Sequence, residues 1–112
     1  MDCNLNIKTM LSQKEVKVIK KSVKEDYGKW PVLFDALSDF TRFRIFKLLM
    51  QYNDLCVTDI ANIFNISLPA VSKQLKILEM SGFIKRERMG QMIRYKINVK
   101  DKTVKAIIKI LK

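Results

Sequence analysis

Residues 58–78 constrain this chain more than any other stretch: Thr58-Asp59-Ile60-Ala61-Asn62-Ile63-Phe64-Asn65-Ile66-Ser67-Leu68-Pro69-Ala70-Val71-Ser72-Lys73-Gln74-Leu75-Lys76-Ile77-Leu78. Ile60, Ala61, Ile63 and Phe64 give a first helix an apolar face, and Ala61 is small enough for a second helix to approach closely. Asn65 falls where the chain must reverse, and asparagine tolerates the left-handed conformation that ends helices. Ser67 is placed to cap the next helix, and Pro69 lies in its first turn, where a missing N–H costs little. Val71, Leu75 and Leu78 then face inward, leaving Ser72, Lys73, Gln74 and Lys76 on the opposite face. Two helices, a tight turn, and a second helix bearing small polar and basic side chains are the layout of a helix-turn-helix. Taken alone, the stretch also fits a helical hairpin with a solvated basic face.

Charge placement separates these readings. The net charge is +11 over 112 residues. Residues 31–66 hold three basic and four acidic side chains, whereas residues 67–98 hold seven and two. The excess therefore begins at the second helix of the motif and continues beyond it, a footprint suited to phosphate contact. One domain with a modest core is expected from this length. The N-terminus lacks the apolar run of a signal peptide, no stretch approaches a membrane span, and Cys3 and Cys56 are too few for a disulfide framework. The expectation is a reduced, cytoplasmic protein.

Elsewhere, Ser12 and Glu15 fit a capping box that starts a helix over 13–26, with Val16, Ile19 and Val23 on one stripe and residues 1–12 as an arm. Its thin apolar face suits a protein partner better than a membrane surface. A short helix is predicted over 31–38, with Val32, Leu33, Ala36 and Leu37 inward, and a core-forming helix over 41–51. Gly82 ends the second motif helix. Residues 83–88 and 92–97 then read as strands joined at Met89-Gly90-Gln91, because Ile93, Tyr95 and Ile97 alternate with Met92, Arg94 and Lys96. Together, 83–97 make a basic hairpin carrying Lys85, Arg86, Arg88, Arg94 and Lys96, placed as a wing beside the 57–80 motif. Charged strand edges that merely prevent aggregation are the alternative. A last helix over 101–111 carries Val104, Ile107, Ile108 and Leu111 on one stripe. A terminal amphipathic helix can simply finish the core; with the first helix it also makes a candidate dimer interface, since a reader of palindromic DNA needs two-fold symmetry. The fold class is thus mainly α with a small β-hairpin, a winged helix-turn-helix.

These residues resemble the ArsR/SmtB family of winged-helix repressors. Ala36-Leu37-Ser38-Asp39-Phe40-Thr41-Arg42-Phe43-Arg44-Ile45 is similar to the family's "ALADPTRxRIL" segment, with Phe40 where proline is usual. Asp54-Leu55-Cys56-Val57-Thr58-Asp59-Ile60-Ala61 resembles "ELCVCDLA". Residues 67–78 match "SxxxVSxHLxxL", with Gln74 in place of histidine, and Gly82-Phe83-Ile84 with Arg86, Gly90 and Tyr95 match "GLVxxRxxGxxxYY". The resemblance covers roughly residues 32–97. It implies a homodimer formed by the first and last helices, bound to a pseudo-palindromic double-stranded operator, and repression relieved by an inducer.

By position, Ser72, Lys73 and Gln74 are candidates for base edges, since glutamine can pair with adenine and lysine with guanine. Ser67 and Lys76 are candidates for phosphates, and Arg86, Arg88, Gln91 and Arg94 for the wing's contacts. The inducer is less determined. Thr58 stands where metal sensors of the family place a second cysteine, and the chain has no histidine for the last-helix site. Cys3 and Cys56 remain as a two-thiolate site for a soft thiophilic ion, or as a redox pair, or as packing residues. Competing classes are a winged-helix protein–protein interaction module, which the basic helix and wing argue against, and an RNA binder, which lacks an aromatic platform. No acid/base or nucleophile constellation can be assembled, so an enzyme is not expected.

Overall fold

The computed structural model describes residues 10–23 and 25–112. Six helices and three strands follow in the order α1 (Gln13–Ser22), α2 (Trp30–Leu37), α3 (Phe40–Gln51), β1 (Leu55–Cys56), α4 (Val57–Phe64), α5 (Leu68–Met80), β2 (Ile84–Met89), β3 (Met92–Ile97) and α6 (Lys102–Leu111). The strands form one antiparallel sheet in the order β1-β3-β2. This is a winged helix-turn-helix, as the sequence pattern predicts. Strand β1 is an addition: two residues carry no periodic signal, and pairing of Leu55 with Tyr95 creates the strand across a long sequence separation.

The core is apolar throughout. Leu33, Ile45, Phe46, Leu49, Ile60, Val71, Leu75, Leu78, Phe83 and Val104 are fully buried, with no buried polar or charged residue among the described ones. The Phe46 and Phe83 rings meet at 4.7 Å, fixing α3 against the segment between α5 and β2. Asp39 starts α3 by accepting a hydrogen bond from the Arg42 N–H at 3.0 Å, so the helix begins at Phe40 rather than at residue 41. Val32, expected inward, is exposed; α2 buries Leu33 and Ala36, and the residue before Leu33 sits about 100° around the helix from it.

The first helix is shorter than its expected span of 13–26. The Ser12–Glu15 capping box forms, with the two reciprocal hydrogen bonds at 3.1 and 2.9 Å. The helix ends at Ser22, where Val23 turns extended. Beyond it the Asp26 carboxylate accepts from the Gly28 N–H, closing a local turn that competes with helix. Helix α1 buries none of its residues, and the molecule extends 64 × 29 × 23 Å. With none of its residues buried among the described ones, its apolar stripe has little packing to sustain a further turn. No described helix is long and apolar enough to cross a membrane.

Candidate nucleic-acid interface

Helices α4 and α5 are set by their ends. The Asp59 carboxylate accepts from the Cys56 N–H at 3.0 Å, holding the entry to α4. Asn65 closes that helix in the left-handed region (φ 54, ψ 49), and the Ile66 N–H donates back to the Ala61 carbonyl at 3.1 Å. The Ser67 hydroxyl accepts from the Ala70 N–H at 3.2 Å, starting α5 with Pro69 in its first turn. Ile60 and Ala61 are buried under α5, whereas Ile63, expected on the same apolar face, is 53% exposed. In an eight-residue helix the inward stripe is narrow, and Ile63 lies outside it.

Val71, Leu75 and Leu78 anchor α5 inward, and Ser72, Lys73 and Lys76 are exposed on its outer face. Neither lysine makes an ion pair among the described residues. Gln74 is half-buried on the flank, and its Oε1 accepts a 2.9 Å hydrogen bond from Arg42 Nη1. Arg42 is held in turn by Nε donating to the Ala36 carbonyl at 2.7 Å. Sequence reasoning gave Arg42 no role. A signal exists nonetheless: Arg42 is a cation in the first turn of α3, where it opposes the helix dipole, so local helix electrostatics do not account for it.

The wing is β2–β3. Its two-residue loop has Gly90 at φ 63, the position where type II′ hairpin turns take glycine. The wing's cations divide into two groups. Arg86 Nε is 3.1 Å from Glu79 Oε2, tying β2 to α5. Arg94 lies opposite Glu87 in the sheet register, with Nη2 2.9 Å from Glu87 Oε1 and Nη1 3.5 Å from Asp54 Oδ1. Lys96 Nζ joins the same Glu87 oxygen at 3.2 Å. Hydrogen bonds from Arg94 and then Lys96 hold the Glu87 carboxyl below its ordinary value. Arg86 and Arg94, expected at the DNA side, each pair with a carboxylate here, Arg86 from an exposed side chain and Arg94 from a half-buried one. Arg88 and Gln91 remain exposed near the hairpin tip, and Arg88 makes no ion pair among the described residues.

Of the two candidate metal ligands, Cys56 is a half-buried free thiol at the start of α4, and Cys3 lies outside the described residues. No group of three or more His, Cys, Asp or Glu that could hold a metal occurs among the described residues. Asp101, the sole carboxylate near the last helix, is already used: it caps α6 through the Thr103 and Val104 N–H groups and pairs with Lys29, whose hydrogen bond lowers its pKa. The described donors do not by themselves fit a metal centre.

An exposed polar and basic helix face beside a hairpin defines the class: a winged-helix nucleic-acid reader. The profile described as "Bacterial regulatory protein, arsR family" matches residues 39–86. The chain is 44% identical over 66 residues to the transcriptional repressor SdpR of Bacillus subtilis, covering 59% of this chain and 72% of that one. It is 36% identical over 76 residues to a cadmium resistance regulatory protein CadC homolog of Staphylococcus aureus, covering 68% and 61%. Among solved structures, HlyU from Vibrio cholerae superposes with a TM-score of 0.69 at 26% identity, covering 80% of this chain and 94% of that one. The chain belongs to the ArsR family of bacterial regulatory proteins. It spans between 53 and 61% of the relatives named for cadmium and arsenic resistance that follow SdpR in similarity.

Proposed function

We propose that the protein is a homodimeric transcriptional repressor that reads a pseudo-palindromic double-stranded operator with α5 and steadies itself on the backbone with the wing tip. The carrying observation is the outer face of α5: Ser72, Lys73 and Lys76 stand exposed, the two lysines without an ion pair among the described residues, on a helix whose other side is locked into the core. Ser72, Lys73 and Gln74 address base edges, and Lys76, Arg88 and Gln91 address phosphates. Ser67 acts first as the α5 cap, with phosphate contact available through the same helix end. Arg86 and Arg94 are scaffold residues that keep the wing in register. A second copy covers the exposed apolar residues Val18, Ile19 and Val23 of the α1 region and Ile110 of α6, giving the two-fold symmetry that such an operator requires.

For the inducer, relatives named for cadmium and arsenic resistance support a soft thiophilic ion as the ligand class. The described donor set supplies only Cys56, so the repression mechanism above takes no step through a metal. The test is fluorescence anisotropy on the DNA upstream of the protein's own gene against a scrambled duplex, in reducing buffer, with and without Cd(II), Hg(II), Zn(II) and As(III). Selective binding supports the repressor. Release by an ion in wild type but not in Cys56→Ser makes that ion the inducer. Equal binding to the scrambled duplex at physiological salt favours the interaction-module class instead.

A further inference from the structure

We infer that Arg42 is a specificity-setting residue: by holding the Gln74 carboxamide oxygen, it makes Gln74 a donor-only reader of bases. The inference rests on the reading of α5 as the DNA-contacting helix. A guanidinium carries five N–H donors and no acceptor, so the atom of Gln74 that faces Arg42 Nη1 at 2.9 Å is the oxygen. The amide orientation follows from that chemistry. The Arg42 guanidinium is held a second time, its Nε donating to the Ala36 carbonyl at 2.7 Å. The Nε2 amino group of Gln74 occupies the other branch of the amide, and no acceptor among the described residues takes it up.

An unconstrained glutamine reads adenine with both atoms, donating to N7 and accepting from the N6 amino group. With Oε1 held inward by Arg42, that bidentate pairing is lost, and what remains is a pair of N–H donors. These suit bases that present only acceptors at the major-groove edge: guanine through O6 and N7, or thymine through O4. Arg42 is then a positioning residue that selects base identity without touching DNA. The adenine pairing expected of Gln74 from its residue type alone is replaced by a preference for guanine or thymine.

The test is selection of bound duplexes from a randomised pool by the full chain, sequencing the selected pool for wild type, Gln74→Ala, Gln74→Glu and Arg42→Met. The position read by Gln74 is the one whose preference Gln74→Ala erases. Wild type is expected to select guanine or thymine there, with discrimination of about three- to tenfold, the scale of one hydrogen bond. Gln74→Glu keeps the partner for Arg42 but turns an acceptor outward, so the preference moves to cytosine or adenine, whose amino groups donate. Because this variant leaves Arg42 and the core intact, it answers the question even where Arg42→Met lowers stability. Arg42→Met releases the amide and admits adenine, and adding it to Gln74→Ala changes nothing further at that position. A wild-type preference for adenine, or a Gln74→Glu preference unchanged from wild type, overturns the donor-only assignment while leaving the DNA reading in place. A wild type that selects no sequence overturns the DNA reading and this inference with it.

Discussion

Helix α5 and the wing hold their positive charge differently. The wing carries five cationic side chains to two on α5, yet three of the five are engaged with carboxylates, while Lys73 and Lys76 are unpaired among the described residues. The cause lies in the two geometries. Strand pairing sets Glu87 directly across from Arg94 and within reach of Lys96, so cross-strand neighbours neutralise one another. On α5 no carboxylate lies three or four positions from Lys73, and Glu79, three positions from Lys76, is taken by Arg86 of the wing. Charge count alone would rank the wing above α5 as a DNA contact. Charge availability removes that advantage: among the described residues Lys85 and Arg88 are the wing cations outside an ion pair, against Lys73 and Lys76 on α5.

The comparison can be broken most decisively at Lys73. Lys73→Ala is expected to lower affinity for the selected operator by about 1–3 kcal/mol while leaving binding to random duplex nearly unchanged. Competition titrations with the two duplexes measure the gap. Arg94→Met works the other way: it leaves Glu87 and Asp54 with Lys96 alone and should lower unfolding stability by about 0.5–1 kcal/mol, the scale of partly exposed pairs. Urea unfolding reads that loss, and the discrimination between operator and random DNA should stay at the wild-type value. Arg88→Ala lies between these cases. It should weaken all duplexes alike and reduce the salt slope of log K by about one per protomer, visible in titrations from low to physiological salt.

The smallest effect concerns acid. Glu87 is held below its ordinary pKa near 4.5 by Arg94 and Lys96, so the folded state favours its ionised form. Its contribution is complete above that ordinary value and disappears as the pH falls through the lower, folded value. Wild type should therefore lose stability relative to Glu87→Gln between pH 5 and the acid limit of folding, in urea unfolding at a series of pH values. A constant difference across that range would remove Glu87 from the network that holds the wing.

How much of this was legible in the sequence follows from contact range. The α4–turn–α5 unit is written locally: Asn65 in the left-handed region, Ser67 capping Ala70, and Leu75 and Leu78 at helical spacing all act within a few residues of one another. Features that depend on distant partners were not legible. The Arg42–Gln74 bond joins residues 32 apart in the chain, and strand β1 exists only because Tyr95 and Arg94 come to lie beside it. The division of the wing arginines into bound and free required the register Glu87↔Arg94, which alternation alone leaves undetermined. Helix α1 shows the converse case: its start was legible in the capping box, and its end was not, because a stripe without a partner gives no signal of where helix stops being sustained.

The most direct test of the central claim is a chemical-shift map of the isotopically labelled protein titrated with its selected operator duplex. The largest perturbations are expected at residues 67–76 of the α5 face and at Arg88 and Gln91 of the wing tip, with the Arg86 and Arg94 guanidinium signals nearly unmoved. Perturbations centred on Arg86 and Arg94, with Ser72 and Lys73 silent, would contradict that claim.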